Sequence, residues 1–258
     1  MDPESEMLNR LKEHFNFDNW ARRKRLHENL LVRNFFFSDR PVPEWRLQKT
    51  EEMPWENLPK CTRSLWTNPA LGPDANIRCD AYECDSLEAA HEFLIRILST
   101  FHLPLVTQRD DLHIGDVAFA PPGESSIAFA RANVAFVVTR AGRKEFSVLD
   151  FAAQLDADLA SKPEEPDSSG EMFSLSMTSP PGAGPASGRL DVKEEEGGPA
   201  LLKFFSPTAE LEVEDGNLVY KTAGDTDETA PEITMYAVDR HGHTTRQSVR
   251  AKGETEVG

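Results

Sequence analysis

Hydrophobic positions recur along this chain with two different periods, and the change between them falls near residue 160. From residue 5 to 33, Leu8, Leu11, Phe15 and Trp20, then Leu26, Leu30 and Leu31, return at near-helical intervals. That spacing predicts helix, with Asp18 placed to cap between two short segments. Residues 38 to 76 lose the period: Trp45, Trp55 and Trp66 stand among prolines that forbid a long helix. An extended wrap is expected, its tryptophans either anchored against a neighbouring layer or lining a ligand groove.

From 77 to 160 the pattern predicts an α+β unit. "IRCDAYEC" alternates as a strand does, and "DSLEAAHEFLIRILSTF" follows with Asp85 or Ser86 as N-cap and Ala89, Phe93, Leu94, Ile97 and Leu98 on one helical face. "HIGDVAFA" and "SIAFARANVAFVVTR" are strand candidates, the second long enough to be a hairpin or bulged strand about Arg131-Ala132-Asn133. "SVLDFAAQLDADLAS" is a closing helix. The order β-α-β-β(-β)-α suits an antiparallel sheet with its helices on one face.

"SKPEEPDSSGEM", residues 161 to 172, interrupts every apolar period and is the expected linker. Beyond it come strands only: "MFSLSMTS", "GRLDVKEE", "ALLKFFS", "AELEVED", "LVYKTAG", "EITMYAVDR" and "TTRQSVRAK", separated by Gly, Pro and Asp turns. Spacings near 8 to 12 residues point to a β-sandwich.

The last two strands carry a resemblance. "ITMYAVDRHGHTTRQSVRA" is similar to the final hairpin of bacterial immunoglobulin-like and fibronectin-type domains, with Tyr236, Ala237, Asp239, Gly242 and Thr244-Thr245 in the family positions and His243 where Asn is more usual. The resemblance implies an Ig-like sandwich over residues 173–258. It also implies that His241 and His243 point outward from a turn in which Gly242 takes the special dihedral. A metal site needs three or four convergent ligands, and only Asp239 stands near the histidines, so no metal is expected.

The expected fold class is therefore α+β: a helical and Pro/Trp-rich N-terminal arm (1–76) packing on an α+β domain (77–160), a linker (161–172), and an all-β Ig-like sandwich (173–258). Charge narrows the function. The net charge is −16, with 19 basic against 25 acidic residues in 1–160 and 9 against 19 in 161–258. Nucleic-acid backbones and anionic membranes are disfavoured partners, Arg22-Arg23-Lys24-Arg25 being the one basic run. No stretch approaches the roughly 20 apolar residues of a membrane span, and the N-terminus lacks the order of a signal peptide, so a cytoplasmic location is expected as written. Three cysteines, Cys61, Cys79 and Cys84, suit free thiols better than a disulfide framework.

Catalytic chemistry has little to stand on. His113 and Asp116 are three apart at a strand start and face opposite sides unless Gly115 makes a bulge. GxSxG, P-loop and HExxH motifs are absent, and Asp110-Asp111 and Glu194-Glu195-Glu196 lack a calcium loop. No catalytic residue, cofactor or metal is assigned. The first expectation is a non-catalytic binding or accessory protein working through a protein partner, with Trp45, Trp55, Trp66, Arg131, His241 and His243 as candidate contacts. One alternative is a small-molecule-binding or hydrolytic enzyme with a pocket between the Trp segment and the α+β sheet, drawing on His91, Asp116, Arg131 and Cys84. The other is a structural subunit of a larger assembly, motivated by the aromatic run "RNFFFSDRPVPEW". Oligomeric state is not encoded in any of these patterns.

Overall fold

The structure, a computed structural model, describes residues 3–20, 23–26, 28–37, 42, 44–56, 58–100, 106–162, 173–178, 187–194, 200–222, 231–239 and 243–250. In chain order the elements are α1 (Pro3–His14), β1 (Asn29–Arg33), β2 (Arg46–Met53), β3 (Lys60–Thr67), β4 (Asn76–Glu83), α2 (Leu87–Thr100), β5 (Thr107–Gln108), β6 (Val117–Ala120), β7 (Ser126–Arg131), β8 (Val134–Arg140) and α3 (Leu149–Ala160). The rest are strands: β9 (Phe173–Thr178), β10 (Ser187–Glu194), β11 (Leu201–Ser206), β12 (Ala209–Glu214), β13 (Asn217–Thr222), β14 (Glu232–Val238) and β15 (Thr244–Arg250). They form three antiparallel sheets in two compact units, Met1–Arg25 with Asp39–Ser161 and Leu26–Ser38 with Lys162–Gly258.

The first unit is built on a seven-stranded sheet of order β2-β3-β4-β8-β7-β6-β5. Ser86 Oγ accepts the Ala89 N–H at 3.1 Å and so starts α2. Phe93, Leu94, Ile97 and Leu98 of α2 then share a buried cluster with Ala128, Ala130, Ala135 and Val137 of β7 and β8, and with Phe17 and Trp20. The helix α3 covers the other face, where the ring of Phe151 meets Trp66 at 5.3 Å and Trp45 at 5.6 Å, and Asp156 reaches Arg131. Helices on one face were the expectation, and both faces are covered. The reason is in β7, buried at all six positions, and β8, buried at its first five. A strand without a polar face needs cover on each side.

Two further corrections concern the N-terminal third. Residues 38 to 76 contain not an extended wrap but the hairpin β2–β3, with an irregular register between Leu47 and Lys49. Pro54 and Pro59 fall just outside the two strands, where a missing N–H costs nothing. The helical period extended to residue 33 fails earlier, because Asn29–Arg33 is a strand. Leu30, Leu31 and Val32 are all buried, which a helix with one covered face would not achieve, and so short an apolar run has no readable period.

This β1 belongs to the second unit. It pairs antiparallel with β11, Leu31 opposite Phe204, at the edge of the sheet β1-β11-β14-β15. A second sheet, β12-β13-β10-β9, shares its core: Leu31, Phe204 and Met235 from one sheet, and Leu175, Leu190, Leu211 and Tyr220 from the other, form one buried cluster. The result is a β-sandwich. Its β12–β13 turn uses Asp215 and Gly216 at φ 49° and 78°, dihedrals such residues accept. No described helix is long and apolar enough to cross a membrane.

Candidate functional site

Side chains alternate across a strand, so register decides which of them meet. In β3, β4 and β8, Arg63 lies opposite Asp80, Asp80 opposite Val137, and Arg78 opposite Thr139, which in turn faces Ser126 of β7. This places Arg63, Arg78, Asp80, Tyr82, Val137 and Thr139 on the α2 side of the sheet. Helical spacing adds Phe93, Arg96, Ile97 and Thr100 from one side of α2. With Leu58, Ser125, Arg140 and Gly142 these groups line an open cavity of about 790 Å³.

Among the described residues, four arginines and a single carboxylate line it. Asp80 is buried and takes Arg63 in a bidentate pair, Nε at 2.6 Å and Nη2 at 3.1 Å, with Arg78 Nε at 3.5 Å. The hydrogen bond to Asp80 holds the Arg63 guanidinium above its ordinary range. Arg140 donates to the Phe146 carbonyl at 3.4 Å, and neither it nor the exposed Arg96 meets a carboxylate among the described residues. At one end of the cavity Tyr82 packs on Phe93 at 4.8 Å and stacks with Trp55 at 6.1 Å, while Arg63 sits 5.5 Å from the Trp55 ring. Burial, then the charges of Cys61 and Asp80, push the Tyr82 phenol up.

The residues singled out from the sequence go to several places. Trp45 and Trp66 are buried on the α3 side, the Trp66 indole N–H donating to Ser64 Oγ at 2.8 Å. Trp55 is 37% exposed on the cavity side. His243 belongs to the sandwich, where its Nδ1 lies 2.8 Å from Asp239 Oδ2 and its backbone N–H donates to Asp239 Oδ1 at 2.8 Å, closing the last hairpin. His241 and Gly242 lie outside the described residues, as do Arg22, His102 and residues 163–172 of the linker.

Arg131 is committed to a buried network. Its Nε and Nη2 reach Asp156 at 2.7 and 2.6 Å, and its Nη1 reaches Asp116 at 3.1 Å. Burial lowers its affinity for the proton, and the hydrogen bonds and charge of Asp156, then Asp116, more than reverse this. Asp116 also accepts the N–H groups of Ala132 and Arg25, at 2.7 and 2.8 Å. Gly115 makes the approach possible: at φ 64° a Cβ there would lie 2.5 Å from the Ala130 carbonyl oxygen. His113 does not join Asp116; its Nδ1 is 2.9 Å from Arg25 Nη1. His91 is buried against Trp20, and burial, then Asp85 and Glu83, push the Cys84 thiol up to about 12.

None of His91, Asp116, Arg131 and Cys84 lines the cavity. Among the described residues no three His, Cys, Asp or Glu side chains are grouped to hold a metal. The acidic pair Asp110-Asp111 is met by arginines, Arg23 at 2.7 Å from Asp110 and Arg109 at 2.9 and 3.0 Å from Asp111. Sequence reasoning passed over Arg63, Arg78, Arg96 and Arg140, although Arg78, Asp80 and Tyr82 alternate within "IRCDAYEC" and mark a strand face that no helix fully covers. No protein-family model matches the chain, and no curated protein and no solved structure is significantly similar to it.

Proposed function

We propose that this is a non-catalytic binding protein whose first unit holds a small organic anion in the arginine-lined cavity. One observation carries the reading: in a chain of net charge −16, the described residues that line a cavity of about 790 Å³ include four arginines and one carboxylate. Like charges gathered in a partly desolvated space repel, and an anionic ligand relieves that cost. Guanidinium groups offer planar paired donors that fit carboxylate and phosphate oxygens. Binding is favoured over turnover because, among the described residues, no histidine or cysteine lines the cavity and the one lining carboxylate is held by Arg63.

The second unit supports a further part of the proposal, an Ig-like module acting through protein contacts. Labelling β9 to β15 as A to G gives sheets A-B-E-D and C-F-G, the strand order of constant-type immunoglobulin domains, with β1 added at the edge of strand C. Its use as a partner surface is fold analogy. The assembly-subunit reading has less support, since Phe35, Phe37 and Trp45 are buried and Phe36 is half-buried, leaving Trp55 as the exposed member of its aromatic set.

The test is thermal melting of the whole protein in inorganic pyrophosphate at fixed ionic strength. A saturable rise in Tm that is lost in the Arg96→Gln/Arg140→Gln variant is expected, since a ligand at a hundred times its Kd stabilises by about 2.7 kcal/mol. An equal rise in the variant, or no rise in the parent protein with pyrophosphate and none with an organic phosphate or carboxylate, sinks the reading.

A further inference from the structure

We infer that the anion taken by the cavity is amphipathic: a carboxylate or phosphate head on an apolar body. The inference rests on the cavity being an anion site and names which anions it selects. Its basis is a polarity gradient along the strands. At one end Tyr82 packs on Phe93, and Val137 in the next row, opposite Asp80, and Ile97 carry apolar surface on alongside the Arg63–Asp80 pair. At the other end stand Arg78, Thr139, Ser126 and Arg140. The register orders these groups, since the pairs Tyr82–Ala135, Asp80–Val137 and Arg78–Thr139 follow one another at two-residue steps.

Four residues separate Tyr82 from Arg78, about 13 Å at roughly 3.3 Å per residue. That is the span of a medium-length acyl chain or a two-ring aromatic body. A bare inorganic anion at the arginine end would leave the aromatic end in water. An apolar molecule without charge would leave the arginines uncompensated. A ligand with both parts satisfies both ends, in a space within the usual size range for organic ligands. Arg96 lies on the α2 wall between the two ends, exposed and without a carboxylate partner among the described residues, free to close on a head group from above. The exposed Leu58 contributes apolar surface at the rim.

The experiment is calorimetric titration of the whole protein with octanoate, octyl phosphate, acetate, inorganic phosphate and octanol at one ionic strength. Octanoate or octyl phosphate, or both, should bind on the order of a hundredfold tighter than the corresponding bare anion, because each buried methylene adds its share of transfer free energy. The preferred head identifies the natural one. Octanol should bind at least tenfold more weakly than the better amphiphile, and Arg96→Gln, an exposed change that does not threaten folding, should weaken that amphiphile about tenfold. Bare anions binding as tightly as the amphiphiles overturn the inference and leave the anion site standing. Octanol binding as well as the amphiphiles, with Arg96→Gln without effect, overturns both, and so does the absence of binding by every probe.

Discussion

The seven-stranded sheet carries two arrangements of arginine and aspartate with opposite stoichiometry. At Arg131 two carboxylates serve one guanidinium, and all three side chains are 7% exposed or less. At Asp80 one carboxylate serves two guanidiniums, Arg63 at 24% and Arg78 at 47% side-chain exposure, with two more arginines along the same cavity. The first arrangement is saturated, since Nε and both Nη atoms of Arg131 have acceptors. The second carries positive charge in excess and faces a space. Chemical type is the same in both. What separates a structural cluster from a candidate binding site is whether the donors are already satisfied and whether water reaches them.

The saturated cluster stands or falls with its one cation. Arg131→Ala leaves two buried carboxylates without their cation and should cost about 3–5 kcal/mol in urea unfolding, the usual penalty for breaking a buried ion pair. Asp116 keeps the Ala132 and Arg25 N–H groups, so Asp156 is left the poorer, and adding Asp156→Asn should recover part of the loss. Arg96→Gln in the cavity should change stability by no more than about 0.5 kcal/mol. A loss under about 1 kcal/mol for Arg131→Ala would mean that the two clusters are energetically alike, and the contrast would fail.

A smaller effect of opposite sign on binding is expected at Asp80. Asp80→Asn releases Arg63 and Arg78 from their shared anion and should cost about 1–2 kcal/mol of stability through lost charge-assisted hydrogen bonds. Pyrophosphate should then bind several-fold tighter, because the internal competitor is gone. Calorimetry on the variant decides it. Weaker binding would show that Asp80 holds the arginines in position and that their charge is not in surplus.

Much of the architecture is legible in the chain. Most strands from β9 to β15 alternate, β11 being a short apolar run buried at all six positions, turns punctuate them, and α2 and α3 show one-sided apolar spacing, so local pattern recovers them. The hairpin at Arg131-Ala132-Asn133 is legible too, because no single strand of that length is common. The failures have two causes: β2 and β3 form a local hairpin whose bounding prolines, Pro54 and Pro59, masked the strands, whereas β1 takes its form from a distant partner. Leu30, Leu31 and Val32 need β11, some 170 residues on, to become a buried edge. The cavity is less legible still: register brings Arg63 and Arg78 to one face with Asp80, α2 adds Arg96, and Arg140, opposite Ile77 on the other face, reaches the cavity only at the end of β8. Arg131 shows the converse. A lone arginine in an apolar hairpin suggests a ligand contact until Asp156, on a helix 25 residues later, is seen to occupy it.

A thiol beside the open cluster reports on the charge of Asp80. Cys61 lies opposite Tyr82 and is pushed up to about 11 from an ordinary 9.0, first by burial and then by the charge of Asp80. The folded state thus favours the protonated thiol, so its contribution to stability is complete below pH 9 and is lost as pH rises through 11. Asp80→Asn removes one of the raising causes, and the pH midpoint of Cys61 alkylation, followed by peptide mass spectrometry, should move down by a fraction of a unit. Cys84 supplies the control within the same molecule. Its thiol is raised to about 12 by burial, Asp85 and Glu83, with no part played by Asp80, so its midpoint should stay where it is. A shift at Cys61 alone places a charged Asp80 beside the cavity floor, as the arginine stoichiometry requires. Equal shifts at both thiols would instead report a loosened sheet, and the open arrangement would then be as structural as the buried one.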